Sequence, residues 1–176
     1  MRIPLTRLTL RELRQEDFPA LCAIMQDPEA MHAYEGAFDD GMVREWLGRM
    51  IRGQEQDGYS LWAVMLTETG ELIGQCGITC QPVGSAEVLE VGYLFNRAHW
   101  GHGYAGEAAA ACVEFAFARL GAERVWAIIR DTNLASMNVA IRLGMTVRER
   151  IIKHYRGIDM PHLAFAVDRD VWRART

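Results

Sequence analysis

Apolar residues change their spacing several times along the chain, and those changes mark out its elements. Leu8 to Leu13 alternates apolar and polar positions and predicts a first strand. After Asp17, an N-cap residue, and Pro19, the spacing of Leu21, Ile24 and Met25 predicts a helix that Pro28 interrupts. Val43, Trp46, Leu47, Met50 and Ile51 predict a second helix, starting at Asp39 or Asp40 and ending by Asp57-Gly58. Residues 59–66 and 72–80 read as strands joined by a hairpin, and Gln81 to Ser85 reads as a second turn. The run Val88 to Phe95 predicts a buried strand. It leads to a helix from Tyr104 to Leu120 with Ala105, Ala108, Ala109, Cys112 and Ala116 on one stripe. Arg124 to Ile129 is a further strand, and Asn133 caps a helix from Leu134 to Leu143. Met145 to Lys153 and Pro161 to Val167 predict a closing hairpin with its tip at His154 to Asp159.

The first four strands are joined mostly by short turns, which favours antiparallel pairing. A helix separates the fourth from the fifth, so that pair should be a parallel crossover. The expected architecture is an α/β sandwich: one mixed, mostly antiparallel sheet of about seven strands, with helices. At 176 residues, one domain spanning 1–176 is the expectation. A net charge of −4 argues against nucleic acid as a partner. Neither a signal core nor a membrane-length apolar run is present, and Cys22, Cys76, Cys80 and Cys112 read as free thiols, so a cytoplasmic location is expected. The spacings of His32, His99, His102, His154 and His162 match no metal motif, and no metal is expected. Lys153 is the only lysine, which reads as compositional bias.

The chemistry centres on Trp100-Gly101-His102-Gly103-Tyr104-Ala105-Gly106. Its glycines let the backbone turn sharply at a helix start, where N–H groups and the helix dipole form an anion site. A dinucleotide fingerprint is opposed by the five residues between Phe95 and Gly101, and by the few strands that remain afterwards. A Walker loop is excluded, because no Gly-Lys-Ser/Thr follows. The stretch resembles the acyl-CoA pyrophosphate loop of the GNAT superfamily of N-acetyltransferases, in the form typical of its RimJ/RimL branch. Asn133-Leu134-Ala135-Ser136 followed by Leu143-Gly144-Met145 is similar to a second GNAT segment, with Met145 in place of the usual Phe. Trp62-Ala63-Val64 and Gly70 to Gly74 resemble the family's second and third strands.

The resemblance implies a GNAT fold with helices on both faces and a splayed fourth and fifth strand pair. It implies acetyl-CoA as co-substrate and direct transfer to an amine: a protein N-terminus or a small molecule. A catalytically silent acyl-CoA sensor is the alternative. Glu90, in Glu90-Val91-Gly92-Tyr93, is the implied base, with a water-facing strand glutamate as the other reading. Ser136 is implied near the CoA sulfur; otherwise it bonds its own backbone. Asn133 is implied to hold the pantetheine arm, or to be a plain N-cap. Gly92 is expected to form a β-bulge that opens a slot exposing the backbone of Leu94, Phe95 and Asn96. Gly101, His102, Gly103, Tyr104, Ala105 and Gly106 are implied to bind the pyrophosphate. Tyr34, Glu35, His154 and Tyr155 are candidates for the amine pocket. A monomer or homodimer is expected.

Overall fold

The computed structural model describes residues 2–34, 36–155 and 157–175. Its strands are β1 (Arg2–Pro4), β2 (Leu8–Glu12), β3 (Leu61–Leu66), β4 (Leu72–Val83), β5 (Ala86–Phe95), β6 (Arg124–Arg130), β7 (Thr146–Tyr155) and β8 (Ile158–Asp168). The helices are α1 (Phe18–Met25), α2 (Asp40–Asp57), α3 (Tyr104–Arg119), α4 (Leu134–Arg142) and α5 (Arg169–Arg173). All eight strands form one sheet in the order β1-β2-β3-β4-β5-β6-β8-β7. Each neighbouring pair is antiparallel except β5 and β6, which are parallel and connected through α3.

Helices cover both faces. On one, the small stripe of α3 (Ala108, Ala109, Cys112, Ala116, each with no exposed surface) rests on Trp62, Cys76, Ile78 and Val91. Side chains this short let the helix backbone sit close, and the Cys76 and Cys112 sulfurs lie 3.5 Å apart as free thiols. On the other face, α1 and α2 bury Leu21, Ile24, Val43 and Leu47 against Leu61, Ala63 and Leu94. Two polar ties fix α2 there. Trp46 donates to the buried Gln75 amide oxygen at 3.0 Å, and Trp62 donates to Gln54 at 2.9 Å.

Several sequence expectations are corrected. β1 and α5 went unpredicted, and the sheet has eight strands. The turn expected over Gln81–Ser85 shrinks to Gly84-Ser85, because β4 and β5 stay paired out to Val83↔Ala86. Gly92 forms no bulge: the β4–β5 register runs unshifted through Gly77↔Gly92. Gly77 carries the steric constraint instead. A Cβ there would lie 2.1 Å from the Ser60 carbonyl oxygen and 2.6 Å from the Leu61 Cα, both backbone atoms.

Gly77→Ala should therefore push β3 from β4 and lower stability by roughly 1–3 kcal/mol or more. Gly92→Ala, whose Cβ would meet only Leu61 Cδ2 at 3.4 Å, should keep a near-native urea midpoint. Urea unfolding of the two variants in parallel checks both.

Candidate active site

The parallel β5–β6 pair touches in register only at Glu90↔Trp126, and beyond that point the strands fork. Backbone parity determines what the fork exposes. Asn96 donates its N–H to the Ile73 carbonyl at 2.9 Å, so Asn96 and Leu94, two positions along, turn their backbone polar groups towards β4. Those of Val91, Tyr93 and Phe95 turn towards β6. The expectation for this slot is thus corrected at two of three residues. Phe95 turns its backbone towards β6, whereas the N–H of Asn96 is committed and the backbone of Leu94 faces β4. The Phe95 carbonyl already accepts the Trp100 indole N–H at 3.0 Å.

At the crotch, the Ile128 N–H donates to Glu90 Oε1 at 3.0 Å. A side-chain carboxylate thus takes a backbone donor of β6 just where the ladder stops. Alternation puts Glu90, Gly92 and Leu94 on the α1/α2 face, opposite Val91 and Tyr93. Glu90 opens on a cavity of about 930 Å³, and its depth in the molecule pushes the carboxyl above its ordinary range. The Lys153 charge and the Ile128 N–H pull it back part of the way.

The other wall of the fork is α4. Asn133 caps it, its side-chain oxygen accepting the Ser136 N–H at 3.1 Å, so the plain N-cap reading of Asn133 describes the geometry present. Both residues line the cavity. The Ser136 carbonyl accepts the Tyr93 hydroxyl at 2.8 Å, tying α4 to β5 across the fork. Burial, above all, raises the Tyr93 phenol, which stays protonated.

Gly101, Gly103, Tyr104, Ala105 and Gly106 line the same cavity at the start of α3. Gly101 and Gly103 hold φ of 81° and 80°, a left-handed conformation that only glycine adopts without strain. His102 stacks on Tyr104 with ring centroids 5.5 Å apart, and its carbonyl accepts from Arg7 at 2.9 Å. Arg7 also pairs with Glu107 at 2.8 Å and lies over the Tyr104 ring, bracing the turn from the β1–β2 connection.

Tyr34 lines the cavity, in edge contact with Phe38, which in turn meets Trp46. Glu35 and the Tyr155 side chain lie outside the described residues. His154 is a correction: it is exposed and bonded to Asp159 at 2.5 Å, on the face of β7 away from Lys153. Arg130, Lys153, Met160 and His162 line the cavity in its place. Of these, only the lone Lys153 and His162, one of the five histidines, stood out in the sequence. Arg7 and Arg130 carry no motif signal, and the run Glu90-Val91-Gly92-Tyr93 gives no sign of the tie from Tyr93 to α4, because these roles depend on pairings distant in the chain. Among the described residues no group of His, Cys, Asp and Glu could hold a metal ion, and no helix is long and apolar enough to cross a membrane.

The family model for the acetyltransferase (GNAT) domain matches residues 7–146. An uncharacterized protein of Bacillus subtilis, YkkB, is 38% identical over 148 residues, which cover 84% of this chain and 86% of the relative. A solved acetyltransferase from Agrobacterium tumefaciens shares 30% identity at a TM-score of 0.81, covering 96% of this chain and 95% of that one. The structure of RimL, described as a ribosomal L7/L12 α-N-protein acetyltransferase, has a TM-score of 0.79 at 19% identity, covering 96% and 94%. That last likeness is one of fold.

Arg7→Ala removes the brace without touching the glycine turn. Both partners of the Arg7–Glu107 pair retain solvent contact, so the expected loss is only about 1 kcal/mol. Hydrogen exchange should nonetheless speed up at the amides of residues 103–107, and mass spectrometry of the exchanged peptides checks it.

Proposed function

The chain belongs to the GNAT acetyltransferase family and is an acyltransferase using acetyl-CoA, and we propose that it moves the acetyl group directly to a primary amine with Glu90 as base. One observation carries the proposal: Glu90 sits at the crotch of the β5–β6 fork, on the cavity side, where a co-substrate in the fork and an amine in the cavity would meet.

The residues present fit acetyl-CoA. The backbone groups of Tyr93 and Phe95 released by the fork suit the amides of a pantetheine arm. The N–H groups from Gly101 to Gly106 suit its pyrophosphate. Asn133 and Ser136 line the opposite wall. The co-substrate supplies an acetyl group as a thioester, so attack by an amine forms an N–C bond and breaks the C–S bond.

The protein's work is to handle protons and charge. Alkyl ammonium groups titrate near about 10 and α-amino groups near about 8, so at neutral pH the acceptor must lose a proton before attacking. The Glu90 carboxylate takes it, and its raised affinity for protons makes it a better base than an ordinary carboxylate. Backbone N–H groups facing the fork stabilise charge gathering on the acyl oxygen. Ser136, in the first turn of α4, donates a hydrogen bond to the departing thiolate. The acceptor is an amine of either a polypeptide N-terminus, as in the RimJ/RimL branch, or a small molecule. The four unpaired thiols support a cytoplasmic location.

Glu90→Gln retains an oxygen for the Ile128 N–H while removing the charge. Thiol release from acetyl-CoA should fall on the order of 100-fold with calorimetric CoA affinity unchanged. In the wild type, kcat/KM should rise with pH through a limb above the usual carboxylate range, since the deprotonated Glu90 is the active form. The variant should lose that limb. Unchanged turnover would remove Glu90 from the chemistry; CoA binding without thiol release for any amine would favour the sensor reading.

A further inference from the structure

On the face of β6, β8 and β7 that looks towards α1 and α2, three basic side chains converge on the cavity. Register places them. Arg130 pairs with His162 across β6–β8, and Lys153 pairs with Met160 across β7–β8, so all four residues share one face. The same face of β6 carries Ile128, whose N–H holds Glu90. Arg130 therefore stands two residues, or about 7 Å, further along the strand from the proposed base.

Among the described residues, neither Arg130 nor Lys153 forms an ion pair. Arg130 donates through one terminal nitrogen to the Tyr34 carbonyl at 3.3 Å, and its buried Nε has no partner among the described residues. A buried guanidinium donor left open is uncommon enough to require a ligand or another cause. Lys153 forms no ion pair among the described residues, and its charge is felt at both Glu90 and His162. His162 is buried, and its Nδ1 faces the Met160 carbonyl at 2.8 Å. That contact requires Nδ1 to be the protonated nitrogen. Burial, above all, lowers its proton affinity; the bond to Met160 opposes this, Lys153 and Arg130 lower it further, and Asp131 pulls the other way, with the net shift downward. Asp131 itself lies 4.0 Å from Arg150. Of the carboxylates lining the cavity, Glu90 is held by Ile128 and Glu45 belongs to α2.

We infer that the acceptor is a small primary amine bearing a carboxylate, with the carboxylate held by Arg130 and Lys153 and the amine directed at Glu90. This rests on the acetyl-transfer reading above and narrows its acceptor. A planar guanidinium with an open Nε suits a carboxylate, and the ammonium of Lys153 adds a point charge from the neighbouring strand. The aromatic wall of Tyr34, Phe38 and Trp46 leaves room for an apolar side chain between the two ends of the acceptor.

The test uses the full chain and matched acceptors: free amino acids of several side-chain types, their carboxamides, and the amines lacking the carboxyl group. Short peptides with free or amidated C-termini are added. Thiol release gives kcat/KM for each, and calorimetry gives acetyl-CoA affinity. The wild type should prefer the free acid over its amide by at least about 10-fold, chiefly through KM. Arg130→Gln should bring that ratio close to one with acetyl-CoA affinity kept, Arg130→Lys should restore part of it, and Lys153→Met should lower it. Circular dichroism melts confirm that each variant is folded; if Arg130→Gln is not, Lys153→Met carries the comparison. Equal rates for acid and amide, turnover confined to amidated peptides, or silence across the panel overturns the inference. Turnover of uncharged amines leaves acetyl transfer standing, whereas failure to bind acetyl-CoA overturns that reading instead.

Discussion

The hydrogen bond from the Ile128 N–H to Glu90 is the contact on which the arrangement turns. A parallel ladder that ends inside a sheet leaves polar backbone groups open on both strands, and burying them unpaired is costly. Here the last donor on β6 is satisfied by a carboxylate from β5, so the strands can part without an orphaned N–H at the crotch. From there on, Tyr93 and Phe95 keep backbone groups directed at the gap, and α4 closes the other side through Tyr93 and Ser136. The fork is thus held at both ends by side chains of β5, one pointing to each face.

That contact also sets the electrostatics. A carboxylate this deep is disfavoured as an anion, and Lys153 and the Ile128 N–H only partly offset the penalty. The same burial that raises its proton affinity suits the proposed base to an ammonium acceptor. Arg130, Lys153 and His162 line the same cavity from β6, β7 and β8, so in the proposed reading one end of the space takes a proton and the other holds an anion.

Much of this was legible in the sequence where a residue is costly or unusual for its element. Glycines at 101 and 103 before a helix, and a glutamate within an otherwise apolar strand, have few purely structural reasons to be there. The fold order was readable because each long element keeps its own period; three-residue β1 is too short to show one. What stayed hidden depends on pairing. The slot assignments of Leu94 and Asn96 turn on which backbone groups face β4, which side-chain alternation does not reveal. On β7 the register shifts between Val147 and Glu149, so alternation counted from the strand's start puts residues on the wrong face beyond it. Lys153 consequently reaches the cavity while His154 does not.

The strand order has a consequence for how the molecule assembles. β1 to β5 lie side by side in the order in which the chain presents them, each pairing with the one before. β6, β8 and β7 form a second block from the C-terminal stretch, and a single register pair joins the two blocks within the sheet. A growing chain can complete the first block before the second exists, because β1–β2, β3–β4 and β4–β5 close short loops and only β2–β3 spans the α1–α2 segment. The cleft then coincides with the seam between an early and a late folding unit. Its width is set by docking rather than by continuous hydrogen bonding, so that seam is where related sequences can adjust the site without rebuilding either half.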